Sequence, residues 1–368
     1  MKKKRILFYL VHPAKFHFHK LQIQLLKEKG HHVDIFINTK DILEELLINE
    51  GWHYVNLFPN SRKIKGFHVY IAAFLSLIST IFKLFKHTWG KKYDLFIGDA
   101  LVYVGFLRGI TSFYPTDDVL AAVPEQRVFF IPAKHIIAPR VTDIGKYKSK
   151  KISYNGYKAL AHLHPNHFQP NRKKLVDRFL NAKKYFIIRC TGFGATHDLN
   201  KKGIDDQMLL RIVEILKPYG EVLISAERKI PKELQFLQTE INKNDIAHYI
   251  AHCNLFIGDS TTMCTESAIL GIPTIEFDEY FYEIEQMVEL EEKYNLIRCF
   301  RTHQIDECLE AIKHSVQDPN LLEIHKMKTK MILNDMIDVS SFLTWFFENY
   351  PQSFKEYQEN PSIQDKFK

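Results

Sequence analysis

Short apolar runs alternating with longer stretches of helical periodicity constrain the fold of this chain more than any other feature. Runs this short suit buried strands, and strands alternating with helices imply βα units and a mostly parallel sheet. In the first half the strand-like runs are Arg5–Leu10, His32–Asn38, Trp52–Leu57, Asp94–Ile97 and Val128–Ile131, with helical patterns at Phe18–Lys29 and Asp41–Glu50. A second series runs Tyr185–Arg189, Glu221–Ser225, Leu255–Ile257, Pro273–Phe277 and Leu296–Cys299. Its helices are expected at Asp205–Leu216, Thr262–Leu270 and Ile305–Ser315. Gly30 and Gly220 stand just before strands, where helix C-caps belong.

Two such series in 368 residues predict two Rossmann-like domains with parallel sheets facing an interdomain cleft. The polar, proline-containing stretch His162–Lys174 reads as the linker. The division is placed at 1–170 and 171–340, followed by a C-terminal segment, 341–368. Ser340–Tyr357 reads as helix and Asn360–Lys368 as frayed tail.

Charge and cysteine content narrow the function classes. A formal charge of +7 with no nucleic-acid-binding signature gives no reason to expect nucleic acid. Five scattered cysteines without CxxC spacing argue against a disulfide frame or a zinc site and favour a reducing compartment. The basic start MKKKR precedes an apolar core of about six residues, shorter than the roughly 7–15 of a signal peptide. The uncharged run Val69–Phe82 is shorter than the roughly 20 residues that span a bilayer. A cytoplasmic protein is therefore expected. Arg62, Lys63, Lys65, Lys83, Lys86, Lys91 and Lys92 flank that run, so it reads either as a buried helix over the first sheet or as a peripheral contact with anionic membrane.

In an open parallel sheet, ligands sit beyond the C-terminal strand ends, where helix N-termini point. The stretch GDSTTMCTESAILGIPTI, Gly258–Ile275, supplies such a place. Ser260, Thr261 and Thr262 offer hydroxyls and backbone N–H groups suited to a diphosphate, helped by the helix dipole. Glu266 follows on the helix, positioned to accept hydrogen bonds from vicinal hydroxyls such as those of a ribose. The same residues would also serve as an ordinary helix cap and a solvated carboxylate. A second donor-rich loop carries Arg189, Thr191, Gly192, Gly194 and His197, although its GxG is not a dinucleotide fingerprint. In the first half, His12 and His17 crowd the end of the first strand, Asp99 stands at the tip of the fourth, and Asp117 and Asp118 follow in a loop. His12, His17, Asp99 and Asp117 are the candidates for acid–base work, His12 as the member expected to face inward. No metal-ligand spacing accompanies the histidines.

Five segments together resemble a functionally unassigned family of GT-B-like proteins, domain of unknown function 354: HPAKFHFHK, YNGYKALAHLHPNHFQP, IIRCTGFGATHDLNKKG, VLISAERKIP and the Gly258–Ile275 stretch. That family is similar to MurG-type glycosyltransferases and to UDP-N-acetylglucosamine 2-epimerase. The resemblance implies a GT-B fold, a nucleotide-sugar on the C-terminal domain, and a ribose-binding role for Glu266. It also implies that the C-terminal segment packs back on the first domain. Asp99 and His197 resemble elements of the epimerase pattern, but its Gly-His-Arg-Arg run is missing. The expected activity is a metal-independent glycosyltransferase with a UDP-sugar donor, no further cofactor, and a glycan or lipid-linked acceptor. A nucleotide-sugar epimerase or hydrolase is the alternative, and a non-catalytic sugar-nucleotide-binding protein the second.

Overall fold

Arg5–Leu10 (β1) is buried along nearly its whole length, so it needs a strand on each edge and cover over each face. It pairs in parallel with His32–Ile37 (β2) on one side. On the other side lies Leu95–Gly98 (β4), while Val55–Asn56 (β3) extends the sheet beyond β2. Thr111–Pro115 (β5), His135–Pro139 (β6) and Lys151–Tyr154 (β7) complete a seven-stranded parallel sheet in the order β3-β2-β1-β4-β5-β6-β7. Among its helices are Pro13–Glu28 (α1), Val69–Thr88 (α2) and Leu101–Arg108 (α3). The structure is a computed structural model and describes residues 2–39, 42–59, 68–192 and 203–368.

A second parallel sheet is built from Tyr185–Cys190 (β8), Glu221–Ala226 (β9), Leu255–Gly258 (β10), Thr274–Phe277 (β11) and Ile297–Phe300 (β12). Their order is β12-β11-β10-β8-β9. Asp206–Leu216 (α4) is capped by the Asp205 carboxylate on Met208 N (2.8 Å) and buries Leu209, Ile212 and Leu216 in the core beside this sheet. Thr261–Ile269 (α5) follows β10 directly. All five cysteines are buried and unpaired.

The chain divides into two compact units: Met1–His162 with Ile337–Lys368, and Leu163–Met336. These limits differ from the sequence-based 170/171 and 340/341 by eight and four residues, and the last segment belongs to the first unit. A parallel sheet leaves an unpaired edge at β7, and the C-terminal segment covers it. Tyr357 Oη accepts from Ser153 N (3.0 Å) and donates to Ser153 O (2.9 Å), while Gln364 Oε1 accepts from Asn155 N (2.7 Å). Helix Val339–Asn349 adds Phe347, edge-on to Phe8 and Phe113, and Glu348, paired with Lys29 at 2.6 Å. Asn360–Lys368 is therefore not a frayed tail. Phe367 stacks near Phe342 and Trp345, and its carbonyl accepts from Asp338 N at 2.7 Å.

One further expectation is corrected. Val128–Ile131 is not a strand: Arg127–Phe130 forms one helical turn that buries only Phe130, leaving Val128 and Ile131 exposed. The strands β5, β6 and β7 carry the sheet there instead. Val69–Phe82 is part of a 20-residue helix that packs one face on the core of the first unit, as a helix over the sheet should, and leaves the other exposed.

Gly98 ends β4 at φ +134°, where a Cβ would lie 2.5 Å from the Tyr9 carbonyl oxygen. The close approach of β4 to β1 thus requires glycine. Gly98→Ala is expected to cost about 2–4 kcal/mol of stability, combining backbone strain with a clash in the sheet. Urea unfolding followed by circular dichroism measures it; a loss below about 0.5 kcal/mol would contradict the packing described.

Candidate functional site

Both sheets reverse their strand order once, and a crevice opens at the strand tips where neighbouring connections diverge. In the second unit the reversal falls between β8 and β10. The residue after β10 is Asp259, buried, and its carboxylate crosses to the β8 side. Oδ1 accepts from Thr191 N at 2.7 Å and Oδ2 from Ile204 N at 3.1 Å. One side chain thereby ties Thr191 to Ile204, 13 residues apart in sequence. Burial pushes its carboxyl up to about 6, and the N–H groups of Thr191 and Ile204 oppose that shift. Sequence reading passed over Asp259; its signal was a lone carboxylate directly after an apolar strand.

Beyond Asp259 the backbone of Ser260 is extended and α5 begins at Thr261. Ser260 makes no side-chain capping bond, so its hydroxyl is not spent on the helix. The first-turn amides of Thr261, Thr262 and Met263 have no acceptor within an α-helix, and the helix dipole adds partial positive charge there. Thr262 is exposed and Glu266 half-buried; four residues apart, they share a helix face. Thr261 differs from its neighbours, since its hydroxyl stands on the side of the buried Glu276 carboxyl of β11 and favours that group's charged form.

Arg189, the other expected anion donor, is already engaged. Nη1 donates to Ser225 Oγ at 2.8 Å, and Nη2 pairs with the Glu227 carboxylate, which also accepts from Gly192 N at 3.3 Å. Arg189 therefore bridges the tips of β8 and β9, and Gly192 lies against Glu227. Thr191 Oγ1 is buried without a hydrogen-bond partner among the described residues. Gly194 and His197 lie outside the described residues.

In the first unit the order reverses between β1 and β4, bringing Lys15 of α1 to 3.8 Å from Asp99. Lys15 also donates to the Pro115 carbonyl at the tip of β5. Next to it, Lys158 Nζ donates to Asp117 Oδ1 at 2.9 Å. Lys15, Thr116, Asp117, Tyr154 and Lys158 line one small pocket with Phe18 and Pro115. Burial raises the Asp117 carboxyl, but Lys158 and then Lys15 outweigh it, leaving Asp117 below the ordinary value. Asp118 moves the other way, raised by burial and by the Asp117 charge, and accepts from Gln126 Nε2 at 2.7 Å.

The structure thus gathers Asp99 and Asp117 through two lysines that sequence reading did not single out, although Lys158 stood within YNGYKAL. His12, expected to face inward, is exposed, and its Nδ1 accepts from Ala14 N (3.2 Å) as the cap of α1. His17 stacks near His162, centroids 5.6 Å apart. His19 is buried against Gln22 (Nδ1···Oε1 2.8 Å), and burial takes it down to about 3, so it stays neutral in the core. Among the described residues no group of three or more His, Cys, Asp or Glu is arranged to hold a metal ion.

Glu276 is fully buried behind the start of α5, and its Oε1 has no hydrogen-bond partner among the described residues. Burial, then the Asp278 charge, raises its carboxyl to about 8. The fold keeps a proton that the unfolded chain releases near its ordinary value. This stabilisation is complete below that value and is lost as pH rises through about 8. Glu276→Gln, neutral at every pH, is expected to remove about 2 kcal/mol of the decline in stability between about pH 6.5 and 8.5. Thermal unfolding across that range measures it. Parallel pH profiles for the two proteins would show that Glu276 is not the titrating group.

The geometry can be set beside known proteins. A search of curated proteins returns no match. Among solved structures, the Staphylococcus aureus MnaA–UDP co-structure superposes with TM-score 0.66 at 11% identity, covering 95% of this chain and 97% of that one. A UDP-N-acetylglucosamine 2-epimerase from Listeria monocytogenes, described as putative in its own name, gives 0.61 at 12%, covering 93% and 95%. The glycosyltransferase of kitacinnamycin gives 0.60 at 12%, covering 90% and 95%. At such identities the likeness is one of fold, and the fold is GT-B: two α/β domains, each on a parallel sheet. A family profile, "Protein of unknown function (DUF354)", matches residues 99–341, two thirds of the sequence. This chain belongs to the DUF354 family.

Proposed function

We propose that the protein is a glycosyltransferase that takes its sugar from a UDP-sugar, without a metal or other cofactor, and passes it to a glycan or lipid-linked acceptor. The observation that carries this reading is the start of α5. It combines an unspent Ser260 hydroxyl, free first-turn amides, and Thr262 and Glu266 on one face, all at the β8/β10 reversal. In the proposed complex the diphosphate lies over Ser260–Met263 and Glu266 accepts from the ribose hydroxyls. Charge developing on the departing diphosphate is met by fixed N–H dipoles, which need no reorganisation. Arg189 acts through Glu227, Ser225 and the loop, rather than as a direct phosphate ligand. In the first unit Asp117, kept ionised by Lys158, and Asp99 beside Lys15 are the candidate bases for the acceptor hydroxyl.

The carboxylate–lysine pairs also support a second reading, nucleotide-sugar epimerisation, because they place acids and bases side by side at the neighbouring tips of β4 and β5. UDP-N-acetylglucosamine supplied without acceptor separates the two. Proton NMR should show the sugar unchanged for a transferase, whereas inversion at C2 would select the epimerase.

Glu266→Ala should weaken UDP binding roughly 10–100-fold by calorimetry, through loss of charge-assisted hydrogen bonds, while the melting temperature stays close to wild type. Unchanged affinity would reject the ribose role, and wild-type protein with no affinity for UDP, CDP or GDP would reject both enzyme readings. Asp117→Asn is expected to lower turnover by about 10²–10⁴ with UDP affinity unchanged. A variant of full activity would remove Asp117 from the chemistry.

A further inference from the structure

Helix α2 is apolar on two faces, and the sheet uses only one. Ser76, Thr80, Leu84 and Thr88 are buried, with Leu77, Ile81 and Phe85 packed on the cluster that contains Leu7, Phe36 and Phe96. The hydroxyls on this side are satisfied within the helix: Thr80 bonds Ser76 O at 2.7 Å and Thr88 bonds Leu84 O at 2.8 Å. On the outward side Tyr70, Phe74, Ile78 and Phe82 follow one another every four residues, 77%, 62%, 49% and 68% exposed. Ile71 and Leu75 widen that ladder, and Lys86 ends it. Water is a poor neighbour for so large a contiguous apolar surface, which marks a docking face.

Charge identifies the partner. From His68 to Tyr93 there are four lysines and no Asp or Glu. Lys83 is held inward, donating to Leu57 O at 2.7 Å, but Lys86, Lys91 and Lys92 are exposed at the C-terminal end of the helix. Trp89 (67% exposed), just past the helix, combines an apolar ring with a polar N–H, as interfacial residues do. At the same end Arg108 of α3 donates to the carbonyls of Thr88 and Lys91, both at 2.8 Å. A purely apolar protein partner would not call for a cationic rim, whereas anionic headgroups over acyl chains match both parts.

Tyr70–Thr88 has the length and apolarity of a membrane span, with mean hydropathy 1.3. Its inward face, however, is committed to the protein core, so lipid cannot surround it. We infer that the outward face of α2 seats the first unit on an anionic lipid surface, with the helix lying in the plane of the headgroups. This surface is separate from the nucleotide-sugar reading, because vesicle binding reports it with or without UDP.

The test is co-sedimentation of the full chain with vesicles of phosphatidylcholine alone or with phosphatidylglycerol added, at low and high salt. Binding should need the anionic lipid and weaken with salt. The triple variant Lys86→Glu, Lys91→Glu, Lys92→Glu should lose it by roughly 100-fold, at about fivefold per cation. Phe74→Ser with Phe82→Ser should also reduce binding at least tenfold, with UDP affinity and melting temperature as checks on folding. Wild type that fails to bind the anionic vesicles at low salt would overturn the inference. So would a dimer in light scattering that only the Phe74/Phe82 variant dissociates, since the face would then belong to a second copy.

Discussion

Parallel pairing is the constraint on which the rest of this molecule depends. Every strand pairing in both sheets is parallel, so each strand must be followed by a crossover long enough to return to the start of the next. The crossovers put helices over the sheets and aim every strand tip the same way. Wherever the order reverses, two adjacent connections depart in opposite directions and leave polar side chains without a covering helix. The reversals are β1/β4 and β8/β10, and both are bridged by an interaction of a carboxylate. Asp99 meets Lys15 at the first, and Asp259 holds Thr191 N and Ile204 N at the second.

Electrostatics then distinguishes the two places. At β8/β10 the nearby acids are compensated: Asp259 by backbone amides, Glu227 by Arg189, and Glu276 by retaining its proton. What remains outward is a helix start with positive polarity, suited to an anion. Near β1/β4, Lys158 and Lys15 hold Asp117 below the ordinary carboxylate value, and Lys15 stands 3.8 Å from Asp99, an arrangement suited to exchanging a proton with a hydroxyl. One sheet type thus yields two electrostatic settings through what neighbouring side chains do to each charge.

How much of this was legible in the sequence follows from burial. β1 and the strands of the second unit are apolar runs of four to six residues between polar stretches, and reading them to within a residue or two required only that pattern. TSFYP, HIIAP and KISY were missed because proline, histidine and lysine dilute them, and their burial comes from sheet neighbours rather than composition. VFFI was misread for the opposite reason: it is apolar, yet it forms one helical turn that leaves Val128 and Ile131 exposed. At the site, Ser260, Thr262 and Glu266 could be found because they follow a strand directly. Lys15, Lys158, Asp259 and Glu276 could not, since their partners lie 41 to 84 residues away along the chain or their effect arises from burial alone. The engagement of Arg189 with Glu227, 38 residues later, was out of reach for the same reason.

The most direct test of the account is a crystal structure with UDP soaked in. The account places both phosphates within hydrogen-bond distance of the Ser260–Met263 amides, with the ribose hydroxyls on Glu266. Density for UDP at any other strand tip, or a diphosphate held by Arg189 with Glu227 displaced, would contradict it.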